Sequence, residues 1–197
     1  MLRESAGRFF AESDAAQALR RHRNARELVA QARGQWDGMT ALGLTGGLVP
    51  EAFGGAGLGY RECVQVSEMI GRSLATGPFL STAVMAATAI VEGDNPRIKQ
   101  AMLPAIASGE MVVAIATEER ARHDPLAIDA RAQRTGGGFR VSGRKRAVID
   151  GNIAQKLIVA ARDAEEPETL LLLGDLEEPR GLLRALLRRR VFSLGDH

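Results

Sequence analysis

The sequence predicts an α+β protein, an all-helical first half followed by a β-rich second half. Three observations carry that reading. Apolar residues recur every three or four positions between Tyr60 and Ile106, the period breaks at Gly109, and short continuous or alternating apolar runs follow, separated by glycines.

Near the start, Asp14 followed by Gln17 has the form of a capping box, and Leu19, Leu28 and Val29 lie in the weakly amphipathic stretch after it. A second helical stripe runs through Cys63, Val66, Met69, Ile70 and Leu74. Gly77-Pro78 interrupts the chain, and Phe79, Leu80, Val84, Ala87, Ile90 and Val91 predict a third helix ending at Gly93. Asn95-Pro96 then supplies an N-cap and a first-turn proline, Ile98, Met102, Leu103 and Ile106 form one face, and Gly109 stands as the C-terminal cap.

Beyond Gly109, strands are expected over Met111–Thr117, Ala127–Ala132, Phe139–Val141, Arg146–Ile149, Leu157–Ala161 and Thr169–Leu173. From Gly174 the pattern weakens, and Leu182–Arg190 reads as a short basic helix with a solvated face. The expected organisation is therefore a helical domain over 1–109, a β domain over 110–176 and an irregular or short basic helical tail over 177–197. Trp36 and Phe53, among few aromatics available to fill a core, are expected to be buried.

Composition narrows the function classes. With 197 residues, 45% of them hydrophobic, the chain can bury ~70% of its unfolded surface. No apolar run approaches the ~20 residues of a membrane span, and Met1-Leu2-Arg3-Glu4 lacks the order of a signal peptide, so a soluble, cytoplasmic protein is expected. Cys63 is the only cysteine, which excludes an intrachain disulfide and points to a buried structural thiol. The 26 basic and 24 acidic residues nearly balance, and aromatic stacking partners make up only 4% of the chain. Arg20-Arg21-His22-Arg23 and Arg188-Arg189-Arg190 therefore read as solvated clusters, with no nucleic acid and no membrane as partner.

Motifs for several chemistries are missing. Gly54-Gly55-Ala56-Gly57-Leu58-Gly59 fits neither the dinucleotide-binding spacing nor a phosphate loop, and reads as a sharply turning loop. His22, His123 and His197 have no metal-ligand spacing, so no metal is expected, and no serine sits in a glycine elbow.

The residues do resemble one family. Trp36, Leu42-Gly43-Leu44, Val49-Pro50-Glu51, Phe53-Gly54-Gly55, Gly57-Leu58-Gly59-Tyr60 and Glu62 are similar, in order, to a stretch typical of acyl-CoA dehydrogenases. So are Glu68-Met69-Ile70-Gly71-Arg72, Leu103–Glu110, Gly143-Arg144-Lys145, Asp150-Gly151 and Leu157–Arg162, and the likeness extends from about Leu2 to about Leu173. It implies a helical N-terminal domain, a middle β-barrel and a C-terminal four-helix bundle. On that pattern the chain stops within a partial barrel and the bundle is absent. The family reaction is α,β-dehydrogenation of an acyl-CoA: a glutamate base takes the α-proton while hydride passes from the β-carbon to FAD. The resemblance places that glutamate in the bundle, so it assigns no catalytic residue here.

It does point to part of the flavin wall. Ala116, Thr117 and Glu118 match a strand end whose backbone and hydroxyl meet the isoalloxazine rim. The glycine-rich loop that follows in the family is here Glu119-Arg120-Ala121-Arg122-His123-Asp124, in which Arg122 and His123 either bind the cofactor pyrophosphate or block the site. The family's flavin-packing aromatic and threonine are Ala147 and Ile149. The cofactor-binding candidates are thus Ala116, Thr117, His123, Ala147 and Ile149. These departures resemble the subgroup that includes the small subunit of pimeloyl-CoA dehydrogenase.

Two readings stay open. One is a truncated FAD-dependent dehydrogenase acting on acyl-CoA, expected as a homo- or hetero-oligomer with dehydrogenase-like subunits, with electron-transfer flavoprotein as a partner of a full-length relative. The other is a non-catalytic, dehydrogenase-like partner subunit or remnant that binds no flavin.

Overall fold

The computed structural model describes residues 2–12, 20, 25–124, 126–136, 138–165, 168–175 and 184–190. The chain forms two compact units, one of residues 1–92 with 97–112, the other of 93–96 with 113–197. The first is helical and the second is a mixed six-stranded sheet, so the α+β reading is correct. No helix among the described residues is long and apolar enough to cross a membrane.

In the helical unit, α1 (Leu2–Glu12) buries Ala6 and Phe10, one turn apart, and packs on α3 (Tyr60–Ser73). The sequence pattern shows no sign of α1. Asp14, Gln17 and Leu19 lie outside the described residues, whereas Leu28 and Val29 are half-buried on α2 (Ala25–Ala41). Ala32, Trp36 and Met39 form the buried stripe of α2. The Trp36 indole donates to the Gly109 carbonyl at 2.8 Å, and the Thr40 hydroxyl donates back to the Trp36 carbonyl. Gly109 ends α5 (Pro96–Ala107) with φ +72°, and a Cβ there would collide with the Thr40 side chain.

Between α2 and α3 the glycine-rich loop closes on itself. Ala56, Leu58 and Gly57 donate backbone hydrogen bonds to Gly46, Gly47 and Val49, at 2.8 to 3.0 Å. A Cβ on Gly55 would strike the Val49 carbonyl, so glycine is required there for closeness of approach. The Thr45 hydroxyl ties the loop to the Ala107 carbonyl at the end of α5. Trp36 is 3% exposed, as expected, but Phe53 is only half-buried, because it sits on a short 3-10 turn (Glu51–Phe53) at the surface of this loop. Glu62 caps α3 by accepting the Gly59 N–H at 3.0 Å. Cys63 is buried, as expected. Leu74, placed by its spacing on the core stripe, instead ends α3 in a left-handed conformation and is exposed.

Residues Phe79–Ala86 wind as a π-helix before α4 (Ala87–Glu92). Phe79, Ser81, Thr82, Ala83 and Ala86 are all buried, so burial here has no single stripe from which the winding could be read. In α5 the four residues of the expected face, Ile98, Met102, Leu103 and Ile106, are the buried ones.

In the second unit the strands are β1 (Val113–Ala116), β2 (Arg131–Thr135), β3 (Gly138–Ser142), β4 (Lys156–Asp163), β5 (Glu168–Asp175) and β6 (Arg184–Arg190). The order is β3-β2-β4-β5-β6, with β1 also on β4. One edge of β4 changes partner along its length: residues 156–159 pair in parallel with β1, and 162–163 pair in parallel with β2. Ile128, Ala130, Ala132, Phe139, Ala160, Ala161 and Leu172 form the core of the sheet. Asp163, fully buried, is held by the Arg134 guanidinium at 2.7 Å, which also lies over the Phe139 ring.

Three expected elements differ in the sheet. The strand expected over Ala127–Ala132 begins only at Arg131 and runs to Thr135, because the N–H groups of Asp129 and Ala130 are taken by the Glu119 carboxylate instead of a ladder. Arg146–Ile149 is not a strand: Ala147 has φ +48° and Asp150 φ +57°, left-handed conformations that a ladder does not accommodate. Within Leu182–Arg190, residues 184–190 are a strand rather than a basic helix. The open edge of β5 offers a row of backbone donors and acceptors, and pairing with it outweighs the helix propensity of leucine and arginine. The register slips by one residue between Leu171 and Leu172, leaving Leu186 as a bulge. The rest of the expected 177–197 tail lies outside the described residues.

Candidate functional site

The candidate residues gather where β1 ends and β4 is about to change partner. Ala116 is buried as the last residue of β1, and Thr117 follows it half-buried. Two segments hold this strand end. The Lys145 ammonium donates to the Thr117 carbonyl at 3.1 Å, and the Arg146 N–H donates to the Glu118 carbonyl at 2.8 Å. The Thr117 hydroxyl has no hydrogen-bond partner among the described residues.

Glu119 is the residue that sequence reasoning missed as a structural centre. Its carboxylate lies 2.5 Å from Lys145 Nζ and also accepts the N–H groups of Asp129, at 2.7 Å, and Ala130, at 3.0 Å. Those amides immediately precede β2, so the carboxylate takes the N–H groups of a segment whose Ala130 carbonyl is bound by the Arg162 N–H of β4. The two side chains are only 10% and 6% exposed. Burial pushes the Glu119 carboxyl up, but the hydrogen bonds from Lys145, Ala130 and Asp129, with the Lys145 charge, outweigh it and hold the group below its ordinary value of 4.5. The only sequence signal was a lysine and a glutamate flanked by strand-like runs, 26 residues apart.

His123 does not enter the strand end. It is 78% exposed, and its Nδ1 meets Glu118 Oε1 at 2.8 Å. The Asp124 N–H reaches the other Glu118 oxygen at 3.4 Å, so Glu118 gathers the end of the loop around its own side chain. Arg122 is exposed, and Arg120 faces Asp129 at a loose 3.8 Å. Ala147 and Ile149 are both exposed on the turn after Lys145. The unit therefore brings together Ala116, Thr117 and, through Glu118, His123. No group of three or more His, Cys, Asp or Glu side chains among the described residues is placed to hold a metal ion.

The sequence model of the acyl-CoA dehydrogenase N-terminal domain matches residues 1–110, more than half of the chain. The chain belongs to the acyl-CoA dehydrogenase family. Over 161 residues, 81% of this chain and 41% of the relative, it is 29% identical to the acyl-CoA dehydrogenase FadE27 of Mycobacterium tuberculosis. It is 33% identical to the mitochondrial isovaleryl-CoA dehydrogenase of Solanum tuberosum over 130 residues, 64% of this chain and 32% of that one. Among solved structures, the Tcur3481-Tcur3483 steroid acyl-CoA dehydrogenase, as a variant, matches with a TM-score of 0.75 and 28% identity, covering 96% of this chain and 54% of that one. A Bacillus anthracis acyl-CoA dehydrogenase complexed with FAD, at 20% identity and a TM-score of 0.74, covers 89% of this chain and 31% of its own, and shares the fold. The acyl-CoA dehydrogenase chain described here thus spans about a third to two fifths of the length of these curated relatives.

Proposed function

We propose that this chain is a helical and partial middle-barrel portion of an FAD-dependent acyl-CoA dehydrogenase, with a helical division over 1–109 and a β division that starts at 110 and takes in β6. FAD, when bound, supplies the hydride acceptor for α,β-dehydrogenation of an acyl-CoA. The residues of this chain contribute one part of its wall. The backbone at Ala116 and the Thr117 hydroxyl suit the polar rim of the ring system, Arg122 suits a pyrophosphate by charge, and His123 suits it as a ring N–H donor. The observation that carries this reading is Thr117: a half-buried residue whose hydroxyl has no hydrogen-bond partner among the described residues, at the end of a strand that Lys145 and Arg146 hold in place. An exposed Ala147 and Ile149 supply no aromatic stacking surface, so the rim contacts, rather than packing, would carry recognition.

That same exposure supports a second reading, a dehydrogenase-like subunit that binds no flavin itself and pairs with a distinct catalytic subunit. The double name of the steroid dehydrogenase to which the chain is similar fits such an arrangement. Homo-oligomers, an electron-transfer flavoprotein partner and a cytoplasmic location belong to the first reading.

Titration of the purified chain with FAD, followed by flavin fluorescence and visible absorbance, separates the two. Saturable quenching with a perturbed absorption band, lost in Thr117→Val, supports the flavoprotein. A flat titration at every protein concentration overturns it in favour of the partner-subunit reading.

A further inference from the structure

We propose that Lys145 and Glu119 are positioning residues for the Thr117 site, a buried clamp on a loop, 119–124, that contains no glycine. The inference rests on the flavin reading above, which it deepens by naming what orients the rim-facing backbone.

The strand end is left unsupported by its own sheet. β1 pairs with β4 only through Ala116, and β4 resumes pairing on that edge with β2 at Arg131. Residues 117–119 leave through the gap between those two ladders, beyond the last β1–β4 pair, while on the other side the Arg162 N–H of β4 already binds the Ala130 carbonyl at 2.9 Å. Glu119 fills the gap from one side, binding the amides of Asp129 and Ala130 that lead into β2. Lys145 fills it from the other, binding both Glu119 and the Thr117 carbonyl. A single ammonium thus joins the peptide after Thr117 to the entrance of β2, with Arg146 fixing the next carbonyl.

The chemistry favours an orienting role over simple stability. A buried ion pair is a weak source of net stability, since apolar side chains of similar volume do as well. What the pair adds is direction: a charged donor on the Thr117 carbonyl restrains that peptide plane, so the Glu118 N–H keeps one presentation and the Thr117 side chain is carried on a fixed backbone. Lys145 has no contact requirement with the ligand, and acts through Thr117.

The test compares the full chain with the double variant Glu119→Gln, Lys145→Met, which removes both charges together and leaves no buried ion unpaired, and with Lys145→Arg. Three measurements are made: melting temperature, amide hydrogen exchange over 117–124 and 129–130, and FAD titration with the absorption spectrum of the bound flavin. The expected result is a double variant that stays folded, exchanges the amides over 117–124 at least tenfold faster, binds FAD at least tenfold more weakly and shifts the flavin band. Lys145→Arg is expected to recover most of the affinity and the band position.

A folded double variant with native exchange over 117–124 overturns the clamp, whatever the flavin does. Faster exchange with native FAD affinity and an unchanged band also overturns it, because the segment would then be merely structural. If the wild-type chain binds no FAD, the flavoprotein reading fails on its own, and exchange at 117–124 decides whether the clamp exists.

Discussion

Two loops of this chain lie at positions where the family uses glycine-rich backbone, and they are held in opposite ways. The loop over 45–59 keeps its glycines and is cinched by backbone hydrogen bonds, so closely that Gly55 has no room for a Cβ. The loop over 119–124 has no glycine and is held by side chains, through Glu119–Lys145 and Glu118–His123. A backbone-cinched loop depends on size. A side-chain-cinched loop depends on charge, and is therefore open to pH in a way the first is not.

The largest effect is expected from Lys145→Met, which strands the Glu119 carboxylate in a buried setting and should cost about 3–5 kcal/mol in a denaturant melt followed by circular dichroism. A loss under 1 kcal/mol would show that the gap between β1 and β2 relaxes easily. Gly55→Ala comes next, at about 1–3 kcal/mol, because the new methyl meets main chain that cannot rotate away. That cost should be the same at pH 7 and pH 4, whereas the cost of Lys145→Met should shrink as Glu119 takes up a proton in the variant.

Acid gives a smaller separation. Glu119 is held below 4.5 in the folded chain, so the unfolded chain takes up its proton first as pH falls. The stabilisation from this carboxylate is fully present above its unfolded value and drains away through and below it. Melting temperatures of wild type should fall there more steeply than those of Glu119→Gln, and parallel curves would remove Glu119 as the acid-labile group. The smallest effect belongs to Arg120→Ala, whose exposed partner Asp129 lies at 3.8 Å; less than about 0.5 kcal/mol is expected in the same melt.

The contrast also explains what the sequence revealed and what it hid. Local patterns were readable: the face of α5, the switch of period at Gly109 and the paired runs that became β4 and β5 all rest on neighbours within a few residues. The π-helix was not, because its residues are buried on more than one side. Leucine and arginine concealed β6, whose conformation is set by the edge it joins, and an apolar run concealed the left-handed Ala147. Ala116 and Thr117 are candidates through the family motif alone, and they lie at the end of β1. Glu119–Lys145 was not legible, because two charged residues 26 positions apart carry no period.

Trp36 gives the molecule a built-in optical probe. It is the sole tryptophan, 3% exposed, and its indole N–H is spent on the Gly109 carbonyl. Its emission therefore reports on one unit only, blue-shifted while α2 and the end of α5 are joined and red-shifted once that bond opens to water. Followed beside the circular dichroism of the whole chain, it assigns each unfolding step to the helices or to the sheet without any label.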